Sequence, residues 1–360
     1  MPIDGHTAKR SAADSTTSNA KRQRTSKPGH TPDCDDTDCA GCADGAVTLG
    51  PEVLNLSAIE IAAMAAQEAA NSADRNVVTT LYETAIGKFG AEPSIAHAQT
   101  LIQFAEYVDF GDLAEDAVRI ADKCKDDKDK SEVTLIRSRK AVLEVCVDQK
   151  NWLDPDCDED DAEEAAREIV GADKLAKASE DIVSALVPIK DSADSAALYN
   201  AIDSLLASLV ARSEVPALTR KLKLSILEIA LKAADTADLW AHHADTKGKS
   251  TLGVTDTTLF TAAKAVFRWA LVAAESMEET RLIEKRLKPA VEYLEARQAD
   301  IDCCKLLAQV LMVLSSVIND EDEAIGAFDR AVEALNRAHQ LDPTDEDVKS
   351  QLEDLGSTDN

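Results

Sequence analysis

The chain has 360 residues, 39 Lys/Arg against 67 Asp/Glu, a formal net charge of −28, 45% apolar and 4% aromatic residues. That charge works against direct nucleic-acid binding, and an Ala-, Leu-, Glu- and Lys-rich composition favours helices over sheets. No apolar run reaches the eighteen or so residues that a bilayer span requires; the longest near-continuous one, starting at Leu306, stops at thirteen.

Residues 1–48 are rich in Ser, Thr, Asp, Gly and Lys and almost lack large apolar side chains. Such a segment cannot bury enough surface to offset its ordering entropy, and it reads as a disordered tail. Residues 1–30 hold six Lys/Arg against Asp4 and Asp14, a charge of +4, which leaves −32 on the remaining 330 residues. The basic residues form two clusters, Lys9-Arg10 and Lys21-Arg22-Gln23-Arg24, separated by ten small or polar residues. An extended peptide of that spacing fits two acidic pockets on a groove, the pattern of a bipartite nuclear localisation signal read by an importin-type receptor, with Lys9, Arg10, Lys21, Arg22 and Arg24 as contacts. The plainer reading is a solvated basic arm.

Further along the tail, His30, Cys34, Cys39 and Cys42 give the spacing H-x3-C-x4-C-x2-C, which offers soft ligands for zinc or three of the four for an iron–sulfur cluster. Neither predicted strands nor an apolar collar accompany them, and four Asp lie between Asp33 and Asp38. Incidental thiols in an acidic tail are the simpler account, and no metal or cofactor is assigned.

From Val53 onward apolar residues recur at helical spacing. The stretch LNLSAIEIAAMAAQEAA predicts a helix capped by Ser57, with Glu60 completing a capping box. Further helices are predicted at about 76–89, 94–108, 112–124, 131–149, 161–185, 192–211, 215–242, 256–275, 278–298, 300–318, 321–341 and 344–355, with Pro289 kinking or splitting its helix. Cys124, Cys146, Cys303 and Cys304 fall in these patterns and read as buried small hydrophobes.

Between two of the helices, eight of the eleven residues from Asp154 to Glu164 are acidic. Asp154, Asp156 and Asp158 begin like a calcium loop, but Glu159 occupies the place of the turn glycine and Ala165 that of the bidentate glutamate. Asp154, Asp156, Asp158, Glu159, Asp160 and Asp161 are better read as an acidic loop entering a helix N-terminus, and as a docking point for a basic partner. His242 and His243 are adjacent, about 100° apart on a helix, and cannot chelate on one face. The sequence holds no G-x-S-x-G, Walker, G-x-G-x-x-G or H-E-x-x-H motif, and the expectation is a protein that is not an enzyme.

A dozen helices with short connections predict antiparallel pairs stacked as repeats. In AVEALNRAHQLDP, Ala331, Leu335, Ala338 and Pro343 fall at the small, large, small and proline positions of a tetratricopeptide second helix. A weaker match is TLIQFAEYVDFGDLAEDAVRIADKC, where Phe104 and Tyr107 precede the turn DFGDL. The expected architecture is an all-α, degenerate tetratricopeptide-like array over residues 49–358 behind the tail. An irregular bundle is the alternative.

Taken together, the basic start with its nuclear signal, LNLSAIEIAAMAAQEAA, VVTTLYETAIGKF, IAHAQTLIQFAEYVDFGDLAEDAVRIADKC and AVEALNRAHQLDP resemble the fungal enhancer of translation termination family over about residues 48–358. The resemblance implies a nuclear, non-enzymatic adaptor that regulates translation termination, with links to a prolyl hydroxylase and to a basic ribosomal protein. It carries no catalytic motif. An acidic loop within helical repeats also resembles the histone chaperones of that architecture, although their long acidic tract is missing here.

Overall fold

The computed structural model describes residues 49–70, 74–90, 92–124, 129–152, 169–190, 195–216, 218–240, 256–275 and 280–356. Among these residues the fold is all-α with no strand, and its fourteen helices pack chiefly against neighbours in the chain. The chain divides into two compact units, residues 1–92 and 93–360. The expected domain at 49–358 spans both.

The first unit contains α1 (Pro51–Leu54), α2 (Ala58–Ala70) and α3 (Arg75–Lys88). α2 begins where the capping box predicts: the Ser57 amide and hydroxyl donate to Glu60 Oε2 at 2.8 and 2.7 Å, and the Glu60 amide donates back to Ser57 Oγ at 3.3 Å. α2 and α3 pack as a pair over Ile61, Ala65, Val78, Leu81 and Ala85. Lys88 Nζ, at the end of α3, donates to the Leu54 and Leu56 carbonyls at 2.6 and 2.7 Å, satisfying acceptors around the end of α1.

The second unit contains α4 (Ile95–Val108), α5 (Gly111–Ala121), α6 (Lys130–Trp152), α7 (Ala172–Lys190), α8 (Ser195–Ser213), α9 (Arg220–Thr236), α10 (Asp256–Ala274), α11 (Thr280–Glu295), α12 (Ile301–Val317), α13 (Glu321–Leu341) and α14 (Glu346–Gly356). Among the described helices almost every contact joins one to the next or next but one, the quasi-one-dimensional pattern of a helical-repeat array. Side-chain caps set many of the starts: Ser94, Thr219, Asp300 and Asp320 each accept from the backbone amide three residues on. One core runs through the unit from Leu135 to Val348, and many of its members are alanines.

Several sequence expectations change. α11 runs unbroken through Pro289, and α7 passes Pro188, where a break was expected. Proline removes one intrahelical bond, but Leu287, Ala290, Val291 and Leu294 are buried on either side of Pro289, so tertiary packing holds the helix on. α7 starts at Ala172 and not near 161; Gly171 precedes it at φ +79°, and a Cβ there would lie 2.9 Å from Val145 Cγ2. Cys124 lies beyond the end of α5 and is half-buried, with its Sγ 3.7 Å from the Ile120 carbonyl.

Candidate partner-docking face

The four residues of the repeat signature position α13. Ala331, Leu335 and Ala338, with Ala327 and Ala334, make up its buried side against α12, and Pro343 stands in the turn before α14. Small side chains spaced one turn apart let α12 and α13 approach closely, and Val348, Leu352 and Leu355 of α14 join the same core. Lys305 on α12 fastens the turn: its Nζ lies 2.7 Å from Asp345 Oδ2, while Asp345 Oδ1 accepts from the Val348 amide at 3.1 Å. The Lys305 hydrogen bond holds the Asp345 carboxyl below its usual range, and Asp345 in turn raises Lys305.

Packing one side of α13 leaves another in water. Ile325 is 53% exposed, Phe328 39% and Val332 half-buried. At about 100° per residue, these three lie within about 60° of one another and form a stripe along the outside of the helix. Glu321 extends the stripe one turn back, and Asp322, Asp329 and Glu333 follow one long edge. None of these four carboxylates takes part in an ion pair among the described residues, whereas Arg330, turned the other way, is committed to Glu295 of α11. The result is an apolar strip with a negative border.

A second polar feature lies at the opposite end of the unit, where α4, α6 and α8 meet. Arg139 donates from Nε and Nη2 to the two Glu106 carboxylate oxygens at 2.9 and 2.6 Å, and from Nη1 to Ser204 Oγ at 3.0 Å. Ser208 donates to Glu106 Oε1 at 2.7 Å. Arg212 donates to the Asp109 carboxylate and the Glu106 carbonyl, which fixes Asp109 at φ 57° where α4 ends. Every charged group there is matched, so the cluster works as a clamp between helices and leaves no free group for a substrate. It also brings α4 and α8 together, a step outside the strict neighbour pattern.

Burial pushes the Cys146 and Cys303 thiols up to about 12 and raises Cys304. They stay protonated near neutral pH and behave as the expected small hydrophobes. Among the described residues no group of three or more His, Cys, Asp or Glu is placed to hold a metal ion. The nuclear-signal residues Lys9, Arg10, Lys21, Arg22 and Arg24, the tail quartet His30, Cys34, Cys39 and Cys42, the acidic loop Asp154, Asp156, Asp158, Glu159, Asp160 and Asp161, and His242-His243 all lie outside the described residues.

The stripe on α13 escaped the sequence reading because Ile325, Phe328 and Val332 have the spacing of core residues. The available signal was excess. Together with Ala327, Ala331, Ala334, Leu335 and Ala338 they make an apolar arc wider than one packed helix face.

These features define a class: an all-α helical-repeat array with an acidic, partly apolar outer helix. Comparison with known proteins finds no family model, no curated protein and no solved structure that matches the chain.

Proposed function

We propose that the protein is a non-enzymatic adaptor that docks a cationic protein segment on its acidic helical array. The observation that carries this reading is the Ile325–Phe328–Val332 stripe bordered by Glu321, Asp322, Asp329 and Glu333. Apolar side chains provide contact area, and unpaired carboxylates select Lys- or Arg-flanked partners and speed their encounter. The charge of −32 beyond residue 30 acts in the same direction over longer range. A second copy of the chain is a poor occupant because it would set carboxylate against carboxylate.

The finer assignment rests on the sequence resemblance. It places the adaptor in the nucleus, carried there by an importin-type receptor on Lys9, Arg10, Lys21, Arg22 and Arg24. It makes the partner a basic ribosomal protein and the outcome regulation of translation termination, with a prolyl hydroxylase as a further partner. A histone-chaperone role is the second reading, favoured by the acidic run from Asp154 to Glu164.

Equilibrium competition between purified core histones and a basic ribosomal protein for the full chain separates the two. The ribosomal protein is expected to bind preferentially, more weakly as salt rises, and about ten-fold or more weakly to the Ile325→Asp/Phe328→Ser variant. Preference for histones would establish the second reading, and the absence of binding to either would overturn both.

A further inference from the structure

Between α9, α10 and α11 there is a cleft of about 260 Å³ whose lining carries two cations against one carboxylate, opposite in sign to the net charge of the chain. Leu231, Trp240 and Leu282 form apolar walls, Lys285 and Arg286 supply cations, and Asp235 is the acidic residue of the lining. Neither Lys285 nor Arg286 takes part in an ion pair among the described residues. Arg286 is held by a different contact: its guanidinium lies 5.0 Å from the ring centre of the buried Trp269. Lys285 is exposed.

The surrounding sequence strengthens the anomaly. Over residues 281–288, Arg281, Lys285, Arg286 and Lys288 against Glu284 give +3, in a chain of −28. These cations fall on α11, whose buried side is occupied by Ile283, Leu287, Ala290, Val291 and Leu294. Packing explains that buried side and leaves the cations unaccounted for.

We infer that this cleft is a second docking site, one that takes a short acidic peptide of a partner protein through one large apolar side chain and its flanking carboxylates. Size decides for a peptide anchor over a whole cofactor. The volume falls below the roughly 300–1,000 Å³ of drug-sized ligand sites and suits a Leu- or Phe-sized group. Charge decides the flanks: carboxylates on either side of the anchor meet Lys285 and Arg286, with the Arg286 fork already oriented by Trp269. At physiological salt the Debye length is about 8 Å, so the local cations outweigh the distant negative surface for a peptide seated in the cleft. A long polyanion would lie against that surface beyond the cleft. The site is independent of the α13 stripe and of opposite sign.

The test uses the full chain and a fluorescein-labelled peptide in which Glu and Asp flank a central Leu-Phe pair, read by anisotropy at physiological salt. Saturable binding is expected, together with a change in tryptophan emission that disappears in Trp240→Phe. Lys285→Glu and Leu282→Ser should each weaken binding about ten-fold or more, while Ile325→Asp/Phe328→Ser leaves it unchanged. Lys285 is exposed and outside the core, so its variant should keep the wild-type circular dichroism and melting curve even if Leu282→Ser does not. Absence of saturable binding, equal binding of the same peptide without its Leu-Phe anchor, insensitivity to Lys285→Glu, or tighter binding of a single-stranded oligonucleotide would each overturn the proposal.

Discussion

The two ends of the second unit solve the same packing problem with opposite chemistry. Where α4, α6 and α8 meet, helices are joined by buried charge: Arg139 and Arg212 are 6% and 8% exposed and are matched by Glu106 and Asp109. Where α12 and α13 meet, they are joined by alanines and Leu335, and the Lys305–Asp345 ion pair fastens α12 to the turn that follows α13. The first junction demands geometry, because Arg139, Arg212 and Glu106 are largely out of water and depend on their partners. The second demands shape, because close approach tolerates little change of volume. A polar clamp can bring together helices distant in the chain, as α4 and α8 are, whereas small-residue packing suits neighbours.

Breaking the polar clamp should have the largest effect. Arg139→Ala leaves Glu106 buried without its bidentate partner and should cost about 3–5 kcal/mol, measured by urea denaturation. The double variant Arg139→Met/Glu106→Leu should recover most of that loss. If the single and double variants lose equal stability, the network is not behaving as a matched pair.

Leu335→Ala probes the other junction. Leu335 is fully buried, and its truncation should cost about 2–4 kcal/mol by the lost transfer energy and the cavity left behind. No recovery is expected from changing a charged neighbour, which distinguishes this junction from the clamp.

The smallest effect belongs to the Lys305–Asp345 fastening and depends on pH. Asp345 has its folded pKa lowered, first by the Lys305 hydrogen bond and then by the Val348 amide. Its contribution is therefore fully present above the ordinary carboxylate range and is lost as pH falls through the lowered folded value. Lys305, raised by Asp345, contributes below its ordinary value and loses that contribution only at strongly alkaline pH. Asp345→Ala should cost about 1 kcal/mol at neutral pH, mainly as the lost cap of α14. It should also flatten the acid side of the curve of melting temperature against pH. An unchanged acid limb would show that the fastening contributes nothing.

Sequence legibility followed the range of the interaction. Ser57 and Glu60 were readable because a capping box is closed within four residues. The signature Ala331, Leu335, Ala338 and Pro343 was readable because helical period and a helix stop are local. Pro289 does not split its helix because its cost is local and its compensation is not: the buried neighbours that carry α11 through it belong to α10 and α12 packing. The Glu106–Arg139 pair lies 33 residues apart in sequence and the Asp109–Arg212 pair 103, and no spacing rule connects them. The α13 stripe looked like core for the same reason, since periodicity marks which residues share a face and says nothing of whether that face is covered.

By itself, then, the sequence determined the all-helical class, the Ser57–Glu60 cap, the packed side of the helix carrying Ala331, Leu335 and Ala338, and the opposition between a basic start and an acidic remainder, since each follows from composition or from contacts within a turn. Only the tertiary structure decided which carboxylates are spent in ion pairs, which apolar residues of α13 stay in water, and that Lys285 and Arg286 border an apolar cleft. Those outcomes depend on which helices meet, and that is set by the sum of many distant contacts.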